Sequence, residues 1–236
     1  MSADHLVTIL SRIETVVLGL GMLSESIVFV GGAATSLLIT DADVMRVRPT
    51  KDIDVIVNTT RVEYYKLEDQ LRARGFAQKM TGSDPICRWH YGGVIVDVMP
   101  TDESILKFSN RWYAQVFEGA FWFVLPTGTR IRLIPAPLFL CTKLEAFYDR
   151  GRGNFEESHD IEDLVTVIDG RPELAQEVSQ SAANIRKFLS ENFRSLLMNN
   201  RFTSSIEWNI PYGAGGIERV LIIEERMRMM SDFESD

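Results

Sequence analysis

Residues 48–58, with the sequence RPTKDIDVIVN, place two aspartates inside a short stretch that otherwise favours a β-strand. Four β-branched residues set that preference: Ile53, Val55, Ile56 and Val57. Side chains two positions apart in a strand point to the same face, so the carboxylates of Asp52 and Asp54 leave one face of the sheet together. Carboxylates this close repel each other, and aspartate is disfavoured in strands. Any fold that contains this strand therefore has to compensate two adjacent negative charges.

A second predicted strand carries one more carboxylate. In residues 93–100, GVIVDVMP, the valines fall on one face and Asp97 falls on the other. Burying a lone carboxylate costs several kcal/mol unless something compensates it, so we expect Asp97 to converge with Asp52 and Asp54. Three convergent carboxylates suit a hard divalent cation, Mg²⁺ or Mn²⁺, when phosphates supply the other ligands. The simpler alternative is an exposed edge strand that carries Asp52 and Asp54 for solubility.

Hydrophobic periodicity divides the chain into two regions of different architecture. Residues 1–135 alternate between helix and strand, with helices predicted over residues 4–23 and 61–74 and a hairpin that turns at Gly92-Gly93. A second hairpin is predicted from FWFVL and GTRIRLI. Residues 136–236 show helical patterns. We therefore predict an α+β fold: a small mixed β-sheet flanked by helices over residues 1–135, followed by a helical C-terminal region over residues 136–236.

Charge and composition narrow the partners that we expect. The chain has 236 residues and a formal net charge of −8, which argues against a broad surface that coats nucleic acid but not against a local basic groove. Its two cysteines and three scattered histidines form no disulfide or zinc pattern. The N-terminus lacks a basic region followed by an apolar run, and we find no apolar run of membrane-spanning length. We expect a cytoplasmic protein without a membrane partner.

A glycine pair precedes the two aspartates. Gly31-Gly32 lies between a predicted strand and a predicted helix, where backbone N–H groups and the helix dipole favour a phosphate. We count Thr35, Ser36 and Lys51 as further candidate phosphate-binding residues. Most glycine pairs are only turns, and the chain lacks the spacing of a Rossmann or P-loop motif at this place. The pair gains weight only together with the aspartates.

The order of these motifs resembles the nucleotidyltransferase superfamily that includes DNA polymerase β. That family combines a Gly-Gly or Gly-Ser pair after a strand, an acidic pair in a later strand, and a third acidic residue in a strand after that. Gly31-Gly32, Asp52 with Asp54, and Asp97 match this order. The resemblance implies a polymerase β-like fold and transfer of a nucleoside monophosphate from an NTP to an acceptor hydroxyl, with Mg²⁺ held by the three aspartates.

A narrower resemblance is to the AbiEii/MenT group of toxin-like nucleotidyltransferases. That group has a K-x6-R motif, matched by Lys143 and Arg150, and an aspartate in a D-x-x-D-L context, matched by Asp160. His159 stands where the group usually has Lys or Arg. The likeness covers residues 28–170 and implies that Lys143 and Arg150 bind the triphosphate and that Asp160 is catalytic. It also implies an RNA acceptor, especially a tRNA 3′ end, and an antitoxin-like protein partner.

Several alternatives stay open. In the alternative interpretation, Lys143 is a solvated helix lysine and Asp160 is a residue next to a helix N-cap. The alternative acceptor of the nucleotide is a small molecule, as in aminoglycoside nucleotidyltransferases of similar length. A catalytically idle module that binds a partner protein would use residues 110–124 or the methionine-rich residues 225–230. Residues 150–153, RGRG, would contact an RNA backbone, and residues 208–216 are expected to be a connector.

Overall fold

The chain divides into two compact units, Met1–Ser36 with Pro49–Pro135 and Leu37–Arg48 with Ala136–Asp236. The structure is a computed structural model and describes residues 3–41, 48–79, 84–151, 153–210 and 216–233, with side chains from residue 6 onward. These residues form an α+β fold, which confirms the fold class predicted from the sequence. Residues 37–48, which we assigned to the first region on sequence grounds, belong to the second unit.

The first unit is built on a mixed β-sheet that has six strands within the described residues. They are β1 (Ile27–Val30), β2 (Asp52–Val57), β3 (Arg88–Tyr91), β4 (Val94–Pro100), β5 (Phe121–Val124) and β6 (Arg130–Leu133). Their order across the sheet is β3-β4-β2-β1-β6-β5. The β2–β4 and β1–β6 pairs are parallel, and the other neighbouring pairs are antiparallel. Both predicted hairpins, β3–β4 and β5–β6, are present.

The register of β2, β3 and β4 decides which polar side chains meet. Asp54 of β2 lies opposite Asp97 of β4, and Arg88 of β3 lies opposite Asp97 from the other side. Gly92 and Gly93 form the turn between β3 and β4, and both have positive φ, as tight hairpin turns of this length require. Since residues opposite each other in a pair of strands share a face, Arg88, Asp97 and Asp54 all project from one face of the sheet.

The helices of the first unit flank this sheet. Those with described residues are α1 (Ala3–Leu20), α2 (Gly31–Leu38, which ends in the second unit), α3 (Arg61–Ala73), α4 (Glu103–Leu106) and α5 (Tyr113–Gly119). The helix that we predicted over residues 4–23 ends as an α-helix at Leu20 and continues as a 3₁₀ segment, Gly21–Ser26. Gly21 has a φ of +53°, a value that interrupts regular helix. Neither α4 nor α5 was predicted from the sequence.

One helical stretch of the described chain, Leu6–Ser26, is long and apolar enough to cross a membrane by length and composition, so our expectation that the sequence holds no run of that length was wrong. A core helix and a signal sequence share these two properties. In this fold α1 packs against β3 and β4, and it buries Ile9, Ile13 and Val16 at helical spacing. The burial of one face and the exposure of Leu18 on another are typical of an amphipathic helix that lies on a sheet.

The second unit is helical within the residues that the structure describes. After residues 37–41 and 48 it contains α6 (Ala136–Ala146), a π-helical turn (Phe147–Gly151), α7 (His159–Gly170), α8 (Leu174–Ser179), α9 (Ala183–Leu197), α10 (Asn200–Asn209) and α11 (Gly216–Ser231). Every residue of α6 from Ala136 to Leu144 is buried, because α7, α8 and α9 all pack against it. The side chain of Ser158 accepts a hydrogen bond from the Ile161 N–H and caps α7.

Candidate active site

The acidic cluster consists of Asp52, Asp54 and Asp97 and lies on the parallel pair β2–β4 of the first unit. Asp54 and Asp97 are direct neighbours across the pair. Asp52 precedes Asp54 by two residues in β2 and therefore lies on the same face. Asp97 is 7% exposed, whereas Asp52 and Asp54 are half-buried. The structure therefore places the three aspartates on one face of two adjacent strands, and it gives their side chains unequal access to solvent.

Arg88 compensates two of these carboxylates. Its Nε donates to Asp97 Oδ1 at 2.8 Å, and its Nη2 donates to Asp97 Oδ2 at 2.7 Å and to Asp52 Oδ2 at 3.2 Å. The planar guanidinium thus binds both oxygens of Asp97 and reaches across to Asp52 with the same nitrogen. The hydrogen bonds to Asp97 are the largest cause that raises the pKa of Arg88 above its usual value.

Two further groups adjoin the carboxylates. The Thr50 hydroxyl donates to Asp52 Oδ1 at 2.9 Å and so fixes the first aspartate of the pair. Cys87, next to Arg88 in the chain, is buried, and burial together with the charges of Asp97 and Asp54 raises the pKa of its thiol to about 12. The thiol is therefore protonated at neutral pH.

Gly31 lies directly against the second aspartate. Val30 is the register partner of Asp54, so Gly31, the first residue after β1, begins beside its carboxylate. Gly31 has a φ of +65°, and a Cβ at this position would collide with the Asp54 carboxylate. Only glycine satisfies both conditions without strain. The glycine pair and the acidic pair were recognised separately in the sequence. In the structure they are in contact, through Gly31 and Asp54.

The other candidate phosphate-binding residues around α2 differ in access. Thr35 is fully buried, and its hydroxyl has no hydrogen-bond partner among the described residues. The Ser36 hydroxyl donates to the carbonyl of Ala33 within the same helix. Gly32 is buried, and Lys51 is exposed. In the conformation described, the Thr35 hydroxyl is buried and the Ser36 hydroxyl is engaged within its own helix, whereas Gly31 and Lys51 are at least partly exposed.

A divalent cation fits the donor chemistry of the acidic cluster. Carboxylate oxygens are the hard ligands that Mg²⁺ and Mn²⁺ prefer, and the three lie on one face of adjacent strands. Over residues 3–41, 48–79, 84–151, 153–210 and 216–233, however, no three His, Cys, Asp or Glu side chains surround a common point where a metal could bind. In this arrangement Arg88 contacts both Asp97 and Asp52.

The Lys143 network is a second ionic cluster and belongs entirely to the second unit. It consists of Lys143 on α6, Asp160 and Asp163 on α7, Arg150 in the π-helical turn, and Arg48. The Lys143 ammonium is 2.6 Å from Asp163 Oδ2 and 3.4 Å from Asp160 Oδ1. Arg48 binds both oxygens of Asp163 at 3.0 Å. Asp163 therefore carries two cationic partners.

Burial sets the strength of this network. Asp163 is 1% exposed, and burial by itself raises the pKa of a carboxyl group, yet Lys143 and Arg48 together hold the pKa of Asp163 below its usual value. Lys143 is 7% exposed, so it is not the solvated helix lysine that the sequence left as an alternative. Asp160 joins Lys143 to Arg150, whose Nη2 lies 3.0 Å from Asp160 Oδ2.

The two clusters contain residues that the sequence analysis missed. Arg88 could have been found, because pairing outward from the Gly92-Gly93 turn places it opposite Asp97. Arg48 gave no local signal, since it lies 115 residues from its partner Asp163. Arg150 is exposed and contacts Asp160, as its spacing from Lys143 allowed. Of the proposed RNA-contacting residues 150–153, residue 152 lies outside the described residues, as do residues 211–215 of the expected connector 208–216.

Comparisons with known proteins add no family to this geometry. No protein-family model and no curated protein matches the chain. The likeness to nucleotidyltransferases therefore depends on the motifs named above and on the arrangement of their residues within each unit.

Proposed function

We propose that the protein is a Mg²⁺-dependent nucleotidyltransferase that moves a nucleoside monophosphate from an NTP to an acceptor hydroxyl. The observation that carries the proposal is the contact set of the acidic cluster. Asp54 and Asp97 face each other on parallel strands, Asp52 shares their face, and Gly31 turns the chain against Asp54. A strand-to-helix turn without a Cβ beside paired carboxylates is suited to a nucleotide whose phosphates are bridged by a cation.

In the proposed reaction the acceptor oxygen forms a bond to the α-phosphorus. The bond from that phosphorus to its bridging oxygen breaks, and pyrophosphate leaves with the electron pair. A divalent cation, when bound, supplies the positive charge that neutralises the phosphates and the leaving group. Asp52, Asp54 and Asp97 would hold it, and Asp97, the most buried carboxylate of this cluster, would also favour release of the proton of the acceptor hydroxyl to solvent.

The resemblance assigns the phosphate-binding charges to Lys143 and Arg150. Lysine acts as a point charge and arginine as a fork, and both types are common partners of a triphosphate. Asp160 contacts both of them, at 3.4 Å from the Lys143 ammonium and 3.0 Å from an Arg150 nitrogen. This contact supports a role for Asp160 in positioning the two cations, in addition to the catalytic role that the resemblance implies.

The first test is transfer of label from α-³²P-labelled NTPs to total RNA in the presence of Mg²⁺, with wild type and Asp54→Asn compared. Removing one group that acts on the developing charge typically lowers the rate about 100- to 1,000-fold, and we expect a loss of at least this size. Asp102→Asn is the matched control, because Asp102 caps α4 and asparagine is an equally good N-cap. Equal transfer by wild type and Asp54→Asn, or none by wild type on any acceptor class, contradicts the proposal.

We propose RNA, and in particular a tRNA 3′ end, as the acceptor. The formal net charge of −8 favours the alternative, a small cationic molecule of the aminoglycoside type, because an acidic protein attracts cations. Salt distinguishes the two acceptors. Binding of RNA weakens steeply as salt rises, because counterions are released from its backbone, whereas binding of a small molecule weakens less. We expect labelled RNA and a steep salt dependence.

A further inference from the structure

We infer that the Arg88 guanidinium is a built-in cation of the acidic cluster, which competes with a divalent metal for Asp97 and Asp52. The inference rests on the proposed function, because it concerns the same carboxylates. It goes beyond that function in assigning to the chain itself a residue that sets how tightly the metal binds. Arg88 is not part of any motif that we recognised in the sequence.

The contacts of Arg88 account for the competition. Both oxygens of Asp97 accept hydrogen bonds from it, at 2.8 and 2.7 Å, and one oxygen of Asp52 accepts a third at 3.2 Å. A metal bound by the same oxygens would lie within a few ångströms of the guanidinium, and like charges at that distance repel strongly in a partly buried site. Binding of a metal to these oxygens therefore weakens the hydrogen bonds of the guanidinium, and the guanidinium weakens binding of the metal.

The position of Arg88 allows it to leave. It lies on β3, an edge strand of the sheet, and its side chain is 23% exposed, whereas that of Asp97 is 10% exposed. The arginine can therefore rotate toward solvent while the buried carboxylate stays fixed in β4. Because it is the arginine that moves, the backbone register of β2, β3 and β4 is the same in both arrangements.

The alternative is that Arg88 is only a structural support for the carboxylates. Removing it would then leave Asp97 and Asp52 poorly placed, and metal affinity would fall. Competition predicts the opposite sign, because Asp97 and Asp52 would lose their resident cation and the acidic cluster would gain affinity for an added one. The sign of the change in metal affinity therefore separates the two roles without any measurement of catalysis.

The experiment measures Mn²⁺ binding by the electron paramagnetic resonance signal of free Mn²⁺, with no nucleotide present. Wild type, Arg88→Gln and Arg88→Lys are compared with the control Arg130→Gln. Arg130 also lies on a strand of this sheet, but it contacts the Trp122 ring at 4.8 Å. Hydrogen bonds to charged groups correspond to roughly tenfold or more in an equilibrium constant. We expect Mn²⁺ to bind Arg88→Gln at least about tenfold more tightly than wild type, Arg88→Lys to be intermediate, and Arg130→Gln to match wild type.

Three other outcomes overturn the inference and are distinguishable from one another. Equal Mn²⁺ affinity in wild type and Arg88→Gln, or weaker affinity in Arg88→Gln, overturns it while the proposed metal site stands. Absence of Mn²⁺ binding in every variant overturns both the inference and the proposed function. If Arg88→Gln does not fold, Arg88→Lys decides, because lysine keeps the charge but cannot bind both oxygens of Asp97 as a fork. Thermal unfolding with and without Mn²⁺ provides a second measurement, in which Mn²⁺ should raise the midpoint of the folded variant more than that of wild type.

Discussion

At the scale of single residues, Gly31 is fixed by the carboxylate beside it. Its positive φ already favours glycine, and the space that a side chain would need is occupied by Asp54. Two independent constraints therefore act on the same position. A turn glycine that faces open space has only the first constraint, and the first unit contains one at Gly128.

Gly31→Ala should lower the free energy of unfolding by more than Gly128→Ala does. A non-glycine residue at positive φ costs about 1–2 kcal/mol. Gly128 has a φ of +90° and nothing within 4 Å of an added Cβ, so it measures the backbone cost alone. Gly31→Ala adds the collision with Asp54, and urea unfolding of both variants measures the difference. Equal losses would show that the carboxylate moves aside without cost.

At the scale of elements, the contact between α6 and α7 depends on a buried ion pair. Lys143 on α6 and Asp163 on α7 are both nearly inaccessible, and each would be costly to bury alone. Arg48 is a second cationic partner of Asp163 and donates to both of its carboxylate oxygens. Because the charges are paired, these two polar side chains can be buried between helices whose other buried residues are mostly apolar.

Lys143→Met should lower the free energy of unfolding by about 3–5 kcal/mol, because breaking a buried pair leaves Asp163 with a single partner. It should also change the response to acid. The depressed pKa of Asp163 contributes stability that is present above the unfolded-state pKa, near 3.8, and is lost as pH falls through the lower folded-state value.

In Lys143→Met the pKa of Asp163 rises toward or above the unfolded-state value. The contribution of Asp163 to the free energy of unfolding therefore shrinks or changes sign at every pH above the unfolded-state pKa. Urea midpoints from pH 2.5 to 7 measure this effect. Wild type should gain stability relative to the variant as pH rises from the folded-state pKa through 3.8. Lys187→Met is the control, since Lys187 makes only an exposed contact of 4.0 Å with Glu191. A constant gap between wild type and variant across this range would contradict the assignment.

At the scale of the whole molecule, the chain passes through its second unit before the first is complete. Residues 37–48 begin with the last two residues of α2 and lie between β1 and β2 in the chain, yet they belong with residues 136–236. Their contacts explain this assignment. The N–H groups of Thr40 and Asp41 donate to the carbonyl of Gly170 at the end of α7, and Arg48 pairs with Asp163. A fragment that begins at residue 136 would therefore lack residues 37–48, which are part of the second unit.

Arg48→Met should loosen α7, although Arg48 lies 115 residues away from Asp163 in the sequence. We expect amide hydrogen exchange in α7 to accelerate by about 10- to 100-fold, as a loss of roughly 1.4–2.8 kcal/mol implies. Arg61→Met is the matched control, because Arg61 is exposed and donates to the Ser104 carbonyl in the first unit. Unchanged protection of α7 in Arg48→Met would show that Arg48 is dispensable to the second unit.

The pattern of the sequence determined what depends on neighbours along the chain. The α+β class, the DIDVIV strand and both hairpins follow from periodicity and turn chemistry, which act over a few residues. The pairing of Arg88 with Asp97 is also local, because a short turn fixes the register of a hairpin. Convergence of Asp97 on the acidic pair followed from the cost of leaving a buried carboxylate alone.

Only the tertiary structure decided what depends on residues far apart in the chain. It placed Gly31 against Asp54, buried the Thr35 hydroxyl, and assigned residues 37–48 to the second unit with Arg48 beside Asp163. Such contacts leave no periodic mark, because each partner also reads as an ordinary turn, helix or surface residue in its own segment. Sequence thus determined the elements and their local pairs, and long-range packing decided which charges each aspartate meets.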